Sequence, residues 1–67
     1  MEKDVRLQRL ITYYCSGNKT KFAQKIGITP QNLSNWITNK FIDYDRIFTN
    51  CENLSAKWLL TGEGEML

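Results

Sequence analysis

Gln31 and Asn35 stand four residues apart, a spacing that on a helix makes two side-chain amides neighbours on one face. An amide carries a donor and an acceptor in one plane, the pair needed to meet adenine at N6 and N7. Asn32 lies to the side of that pair, placed to reach a base edge or a phosphate. Groups suited to a polyanion flank the stretch, with Lys19 and Thr20 at its start and Ser34, Asn39 and Lys40 at its end. Contacts of this kind give salt-dependent affinity without reading sequence. Lys21 and Lys25 either join them or are simply solvated, and for each amide the alternative is a solvated side chain on an exposed helix. Other chemistries lack their residues. The chain has no histidine, and its two cysteines, Cys15 and Cys51, stand far apart. Tetrahedral metal spacing, a Cys–His nucleophile pair and a general base near neutral pH are therefore missing, so we expect no metal, no cofactor, no small-molecule substrate and no enzyme activity. Both cysteines are read as reduced thiols.

Those side chains need two short helices joined by a tight turn. Phe22, Ala23 and Ile26 form one apolar stripe at helical spacing, with Lys21, Gln24 and Lys25 on the other side. Gly27 suits the left-handed conformation that turns a chain past a helix end. Thr29 offers a hydroxyl N-cap, Pro30 fits the first helical position, and Ile28 with Leu33 is placed as a hydrophobic staple. In the second helix Leu33, Trp36 and Ile37 point inward while Gln31, Ser34, Asn35 and Thr38 point outward. Ala23 has no bulk and lets the two helices cross closely. Trp36, an aromatic on the inward side, is read as core rather than as a base-stacking platform.

The pattern from Lys19 to Thr38 resembles the helix-turn-helix of phage repressors and their bacterial relatives. That motif's apolar positions fall on Phe22, Ile26, Ile28, Leu33 and Trp36, its small residue on Ala23 and its turn glycine on Gly27. The family's base-reading positions fall on Gln31 and Asn35. A helical hairpin inside some other small bundle is the alternative.

Three further helices complete the reading. One runs from about Lys3 to Cys15 on Leu7, Leu10, Ile11 and Tyr14, with Arg6 and Arg9 off the stripe and facing solvent or phosphate. Asn18 is the N-cap of the next. After an exit loop at Asn39-Lys40-Phe41, a fourth helix opens at Asp43, stapled by Ile42 and Ile47, and buries Tyr44, Ile47, Phe48 and Cys51. A fifth, capped by Ser55, carries Trp58 and Leu59 and stops at Gly62. Five helices in this order resemble the lambda-repressor-like fold, and the Trp58–Leu67 ending resembles the close of the amino-terminal domain of CI-type phage repressors. The fold class expected is all-α, with residues 1–62 as a DNA-binding domain and 63–67 as a tail or the start of a linker. The resemblance implies a repressor, phage or prophage derived, that pairs as a weak dimer on a palindromic double-stranded operator.

Length and charge agree with one small domain. At 67 residues the chain is near the lower limit for folding on its own core. A hydrophobic content of 42% and a charged fraction of 24% are ordinary for a globular protein, and no run reaches a membrane span, so a cytoplasmic location is expected. Net charge is +2, but between Val5 and Ile42 there are six basic residues (Arg6, Arg9, Lys19, Lys21, Lys25, Lys40) and no acid. Such asymmetry is the footprint of a nucleic-acid face, or else a solvated basic surface. A protein-interaction module that keeps the fold without binding DNA is the competing function. Leu60, Met66 and Leu67 have no obvious place inside and are read as a small symmetric contact.

Overall fold

Side chains set where four of the helices begin. The computed structural model describes all residues, Met1–Leu67, as five α-helices without strands: α1 Lys3–Cys15, α2 Lys19–Ile26, α3 Pro30–Asn39, α4 Tyr44–Asn50 and α5 Ala56–Thr61. Asn18, Thr29, Asp43 and Ser55 precede α2 to α5, and each side chain accepts the backbone N–H three residues on, from Lys21, Asn32, Arg46 and Trp58. Each such cap satisfies one of the open first-turn donors and is worth about 1 kcal/mol.

The ends of α2 and α3 are closed by one device. At α2 the Ile28 N–H donates to Ala23 O at 2.9 Å and the Gly27 N–H to Gln24 O at 3.2 Å, with Gly27 left-handed at φ 80°. At α3 the Phe41 N–H donates to Trp36 O at 2.9 Å and the Lys40 N–H to Ile37 O at 3.3 Å. Here the left-handed residue is Lys40, at φ 52°, a conformation that side chains other than glycine's adopt at some cost.

The five helices close on one core. Leu7, Leu10 and Ile11 from α1, Phe22, Ala23 and Ile26 from α2, and Leu33 from α3 meet Ile42, Ile47, Cys51, Leu54, Trp58 and Leu59. Ala23 is wholly buried, and α2 packs on both α1 and α3. Ile28, Trp36 and Ile37 are half-buried against the same core. No helix is long and apolar enough to cross a membrane.

Four expectations are corrected. Asn39 is the last residue of α3 rather than part of an exit loop. Phe48, expected inward, is 50% exposed, because it lines an open groove against Ala56, Leu59 and Leu60 that the six-residue α5 is too short to close. Met66, expected to lack a place, packs against the core while its carbonyl accepts the Ser55 N–H at 2.8 Å. Arg6, expected in solvent, is buried, and its Nη1 donates to Leu59 O at 2.6 Å. That carbonyl belongs to the last turn of α5 and has no partner inside the helix, and a cation there also complements the helix dipole.

Both thiols are free, Cys15 half-buried and Cys51 buried. Burial pushes the Cys51 thiol up to about 11, so it stays protonated and unreactive at neutral pH.

Candidate nucleic-acid interface

One polar face survives on α3 because its apolar stripe is narrow. Leu33 is the only fully buried residue of that helix, and Trp36 and Ile37 complete the inner side. Gln31, Asn32, Ser34, Asn35, Thr38 and Asn39 are all exposed. The Gln31 Nε2 donates to the Asn35 Oδ1 at 3.4 Å, so the two amides lie side by side as their spacing requires. A bond this long is weak and leaves the remaining donors and acceptors of both amides to solvent. Asn32 is exposed beside them, its backbone N–H held by the Thr29 hydroxyl at 3.1 Å. No acidic side chain stands anywhere on α2 or α3.

Lys19 and Thr20 are exposed on the first turn of α2, where the leading N–H groups are open by helix geometry and the dipole favours an anion. Ser34, Asn39 and Lys40 are exposed at the other side and end of α3. Trp36 is half-buried and meets Phe41 edge-on, with ring centroids 5.6 Å apart at 72°. That geometry uses the indole as packing, and Phe41 remains exposed beside it.

The turn between α2 and α3 is held by contacts that no local pattern announces. Arg46, from the first turn of α4, reaches the turn between them, and its Nη1 donates to Ile26 O at 3.0 Å and to Gly27 O at 3.4 Å. Asp43 steadies the guanidinium from the other side, Nε to Oδ2 at 3.7 Å. A Cβ on residue 27 would lie 3.1 Å from that Nη1, so glycine there serves both the left-handed turn and the approach of Arg46. Two of the chain's three arginines thus close helix carboxyl ends, α5 through Arg6 and α2 through Arg46.

The basic window is less free than its composition suggests. Arg6 is buried under α5. Lys25 pairs with Glu52 at 3.1 Å and lies 5.5 Å from the Tyr14 ring centre. Burial pushes the Tyr14 phenol up to about 12, and it donates to Glu52 O at 2.7 Å. Lys40 is engaged by Glu2. Lys25 thus answers the expectation of a phosphate contact or a solvated lysine with a third outcome, a tie between α2 and the loop after α4. Arg9, Lys19 and Lys21 are exposed and make no ion pair. The roles of Arg6, Arg46 and Glu2 all depend on partners distant in the chain. A helical wheel held one clue, since at about 100° per residue Arg6 falls only about 40° from Leu10, on the flank of the buried stripe.

Compared with protein-family models, with curated proteins and with solved structures, the chain has no significant match.

Proposed function

We propose that this chain is a sequence-specific binder of double-stranded DNA, a transcriptional repressor of phage or prophage origin, in which α2 and α3 are a helix-turn-helix within a lambda-repressor-like fold. The observation that carries this reading is the outer face of α3: paired amides at Gln31 and Asn35, Asn32 beside them, and no acid on either helix of the pair. In this reading α3 enters the major groove, which is about 12 Å wide and admits a helix. Gln31, Asn32 and Asn35 meet base edges there. Lys19, Thr20, Ser34, Asn39 and Lys40 hold phosphates on either side. Selection of bound sites from a random duplex pool, followed by titration of the selected and a random duplex at several salt concentrations, tests it. Absence of both enrichment and salt dependence would favour the protein-interaction module, a reading supported by the three window cations already engaged within the fold.

Gln31→Ala is expected to weaken binding to the selected site by about 1–3 kcal/mol and to relax preference at one base pair. Its exposed amide contributes nothing to the core, so the melting temperature should hold. Equal weakening on every duplex would move Gln31 to the phosphate-contacting class.

A ten-residue α3 is about 15 Å long and spans about four or five base pairs, too few for selectivity. Two copies on half-sites about 34 Å apart would double the read. One apolar surface available for a weak contact is the 180 Å³ groove between α4 and α5, lined by Tyr44, Asp45, Phe48, Ala56, Leu59 and Leu60, with Phe48 and Leu60 both exposed. Leu67 is exposed as well, while Met66 is committed to the core. Sedimentation is expected to find a monomer at micromolar concentration and two protomers on a palindromic site. One protomer at saturation would remove the dimer from the reading.

A further inference from the structure

Glu2 occupies the residue before α1, where a short polar side chain such as serine or aspartate turns back to accept a first-turn N–H. It makes no such bond. Instead its Oε2 reaches 38 residues along the sequence to the Lys40 ammonium at the end of α3. Asp4, in the first turn of α1, adds its charge to the attraction on Lys40. The hydrogen bond from Lys40 holds the Glu2 carboxyl below the usual carboxylate range, and the same bond raises the Lys40 ammonium. Lys40, like Ser16 at the end of α1, is kept in a left-handed conformation that glycine would occupy with less strain. The two side chains thus join two helix ends, the start of α1 and the end of α3.

We propose that Glu2 acts as an internal stand-in for a DNA phosphate, holding Lys40 in the free domain and releasing it when the end of α3 closes on DNA. This rests on the DNA-binding reading above. A carboxylate and a phosphate oxygen offer an ammonium the same acceptor chemistry, so one displaces the other without any change in fold. Both side chains are more than half exposed, so the exchange needs no burial step. The pair is weak enough to be displaced and strong enough to lower affinity for every duplex alike. Glu2 thereby sets how tightly and how salt-dependently the domain holds DNA, while the amides on α3 set which sequence.

The test is a set of titrations on random and selected duplex with wild type, Glu2→Gln, Lys40→Gly, the double variant and, as a control for remote charge, Glu65→Gln. Glu2→Gln is expected to bind both duplexes about two- to fivefold more tightly than Glu65→Gln does, the range typical of an exposed ion pair. The gain should be largest at low salt and shrink as salt screens the competing pair. It should vanish in the Lys40→Gly background, the coupling that a double-mutant cycle isolates. Lys40→Gly alone should weaken both duplexes alike while leaving the melting temperature unchanged or higher. Off DNA, a carboxyl titration followed by NMR should find Glu2 below the ordinary range in wild type and returned to it in Lys40→Gly. A Glu2 gain no larger than that of Glu65→Gln, a gain that persists without Lys40, or an ordinary Glu2 titration in wild type overturns the proposal and leaves the DNA reading intact. Failure of wild type to bind either duplex overturns both.

Discussion

Ala23→Leu is expected to lower the melting temperature by on the order of 10–20 °C, or to leave no cooperative transition at all. Ala23 is wholly buried on α2, which packs against α1, α3 and α4, and leucine adds three carbons with nowhere to go. Overpacking costs about 1–3 kcal/mol where neighbours can shift. Here the α2 end is fixed by the Ile28-to-Ala23 bond and the Arg46 clamp, so the upper part of that range applies. A chain this long has roughly 3–10 kcal/mol in all, and each kcal/mol moves its midpoint by about 4–8 °C. Ala23→Gly is the control: it leaves the space open and should lose only about 1 kcal/mol through helix propensity. Thermal melts followed by far-UV circular dichroism decide the matter. A leucine variant that melts with wild type would mean that α2 and its neighbours do not meet at residue 23.

Arg6→Ala should be nearly as damaging, which for a substitution at an arginine outside any paired network is unusual. Removing the side chain leaves the Leu59 carbonyl buried without its donor and opens a space beside Leu10 on the flank of α1. An abandoned acceptor costs about 1–3 kcal/mol and the lost packing of the aliphatic stem adds to it, for about 2–4 kcal/mol together. Denaturant melts are the measurement, because the slope reports whether the unfolding unit is unchanged. Arg9→Ala, one turn away on the exposed side, should change stability by less than about 0.5 kcal/mol. Equal effects at the two arginines would mean that Arg6 is solvated.

Much of the fold was legible because it is governed over three or four residues. Asn18, Thr29, Asp43 and Ser55 announce helix starts by a hydroxyl, amide or carboxylate followed by apolar periodicity, and each does cap its helix. Phe22, Ala23, Ile26 and Leu33 follow from spacing alone. At the candidate interface, Gln31 beside Asn35 was equally local. What the sequence did not disclose depends on the meeting of distant segments. Arg6 and Lys40 were read as facing solvent or phosphate, yet their partners lie 53 and 38 residues away, and Arg46, which no local pattern singled out, reaches back 20 residues to α2. Phe48 was misjudged for a related reason, since α4 offers the expected apolar face but α5 is too short to cover it.

The bond from Arg6 to Leu59 also bears on the order in which the domain assembles. It spans 53 residues, whereas α1, α2 and α3 are neighbours in sequence and pack on one another. Contacts close in sequence cost less chain entropy to form than distant ones, and helices themselves form in microseconds. The first three helices are therefore expected to gather while the Arg6 guanidinium is still wet. Only the arrival of α5 supplies the carbonyl that lets this charge leave water. A chain truncated before Leu59 lacks that carbonyl and is expected to hold the α2–α3 pair on a partly hydrated core, so the rigidity of the candidate reading face depends on α5.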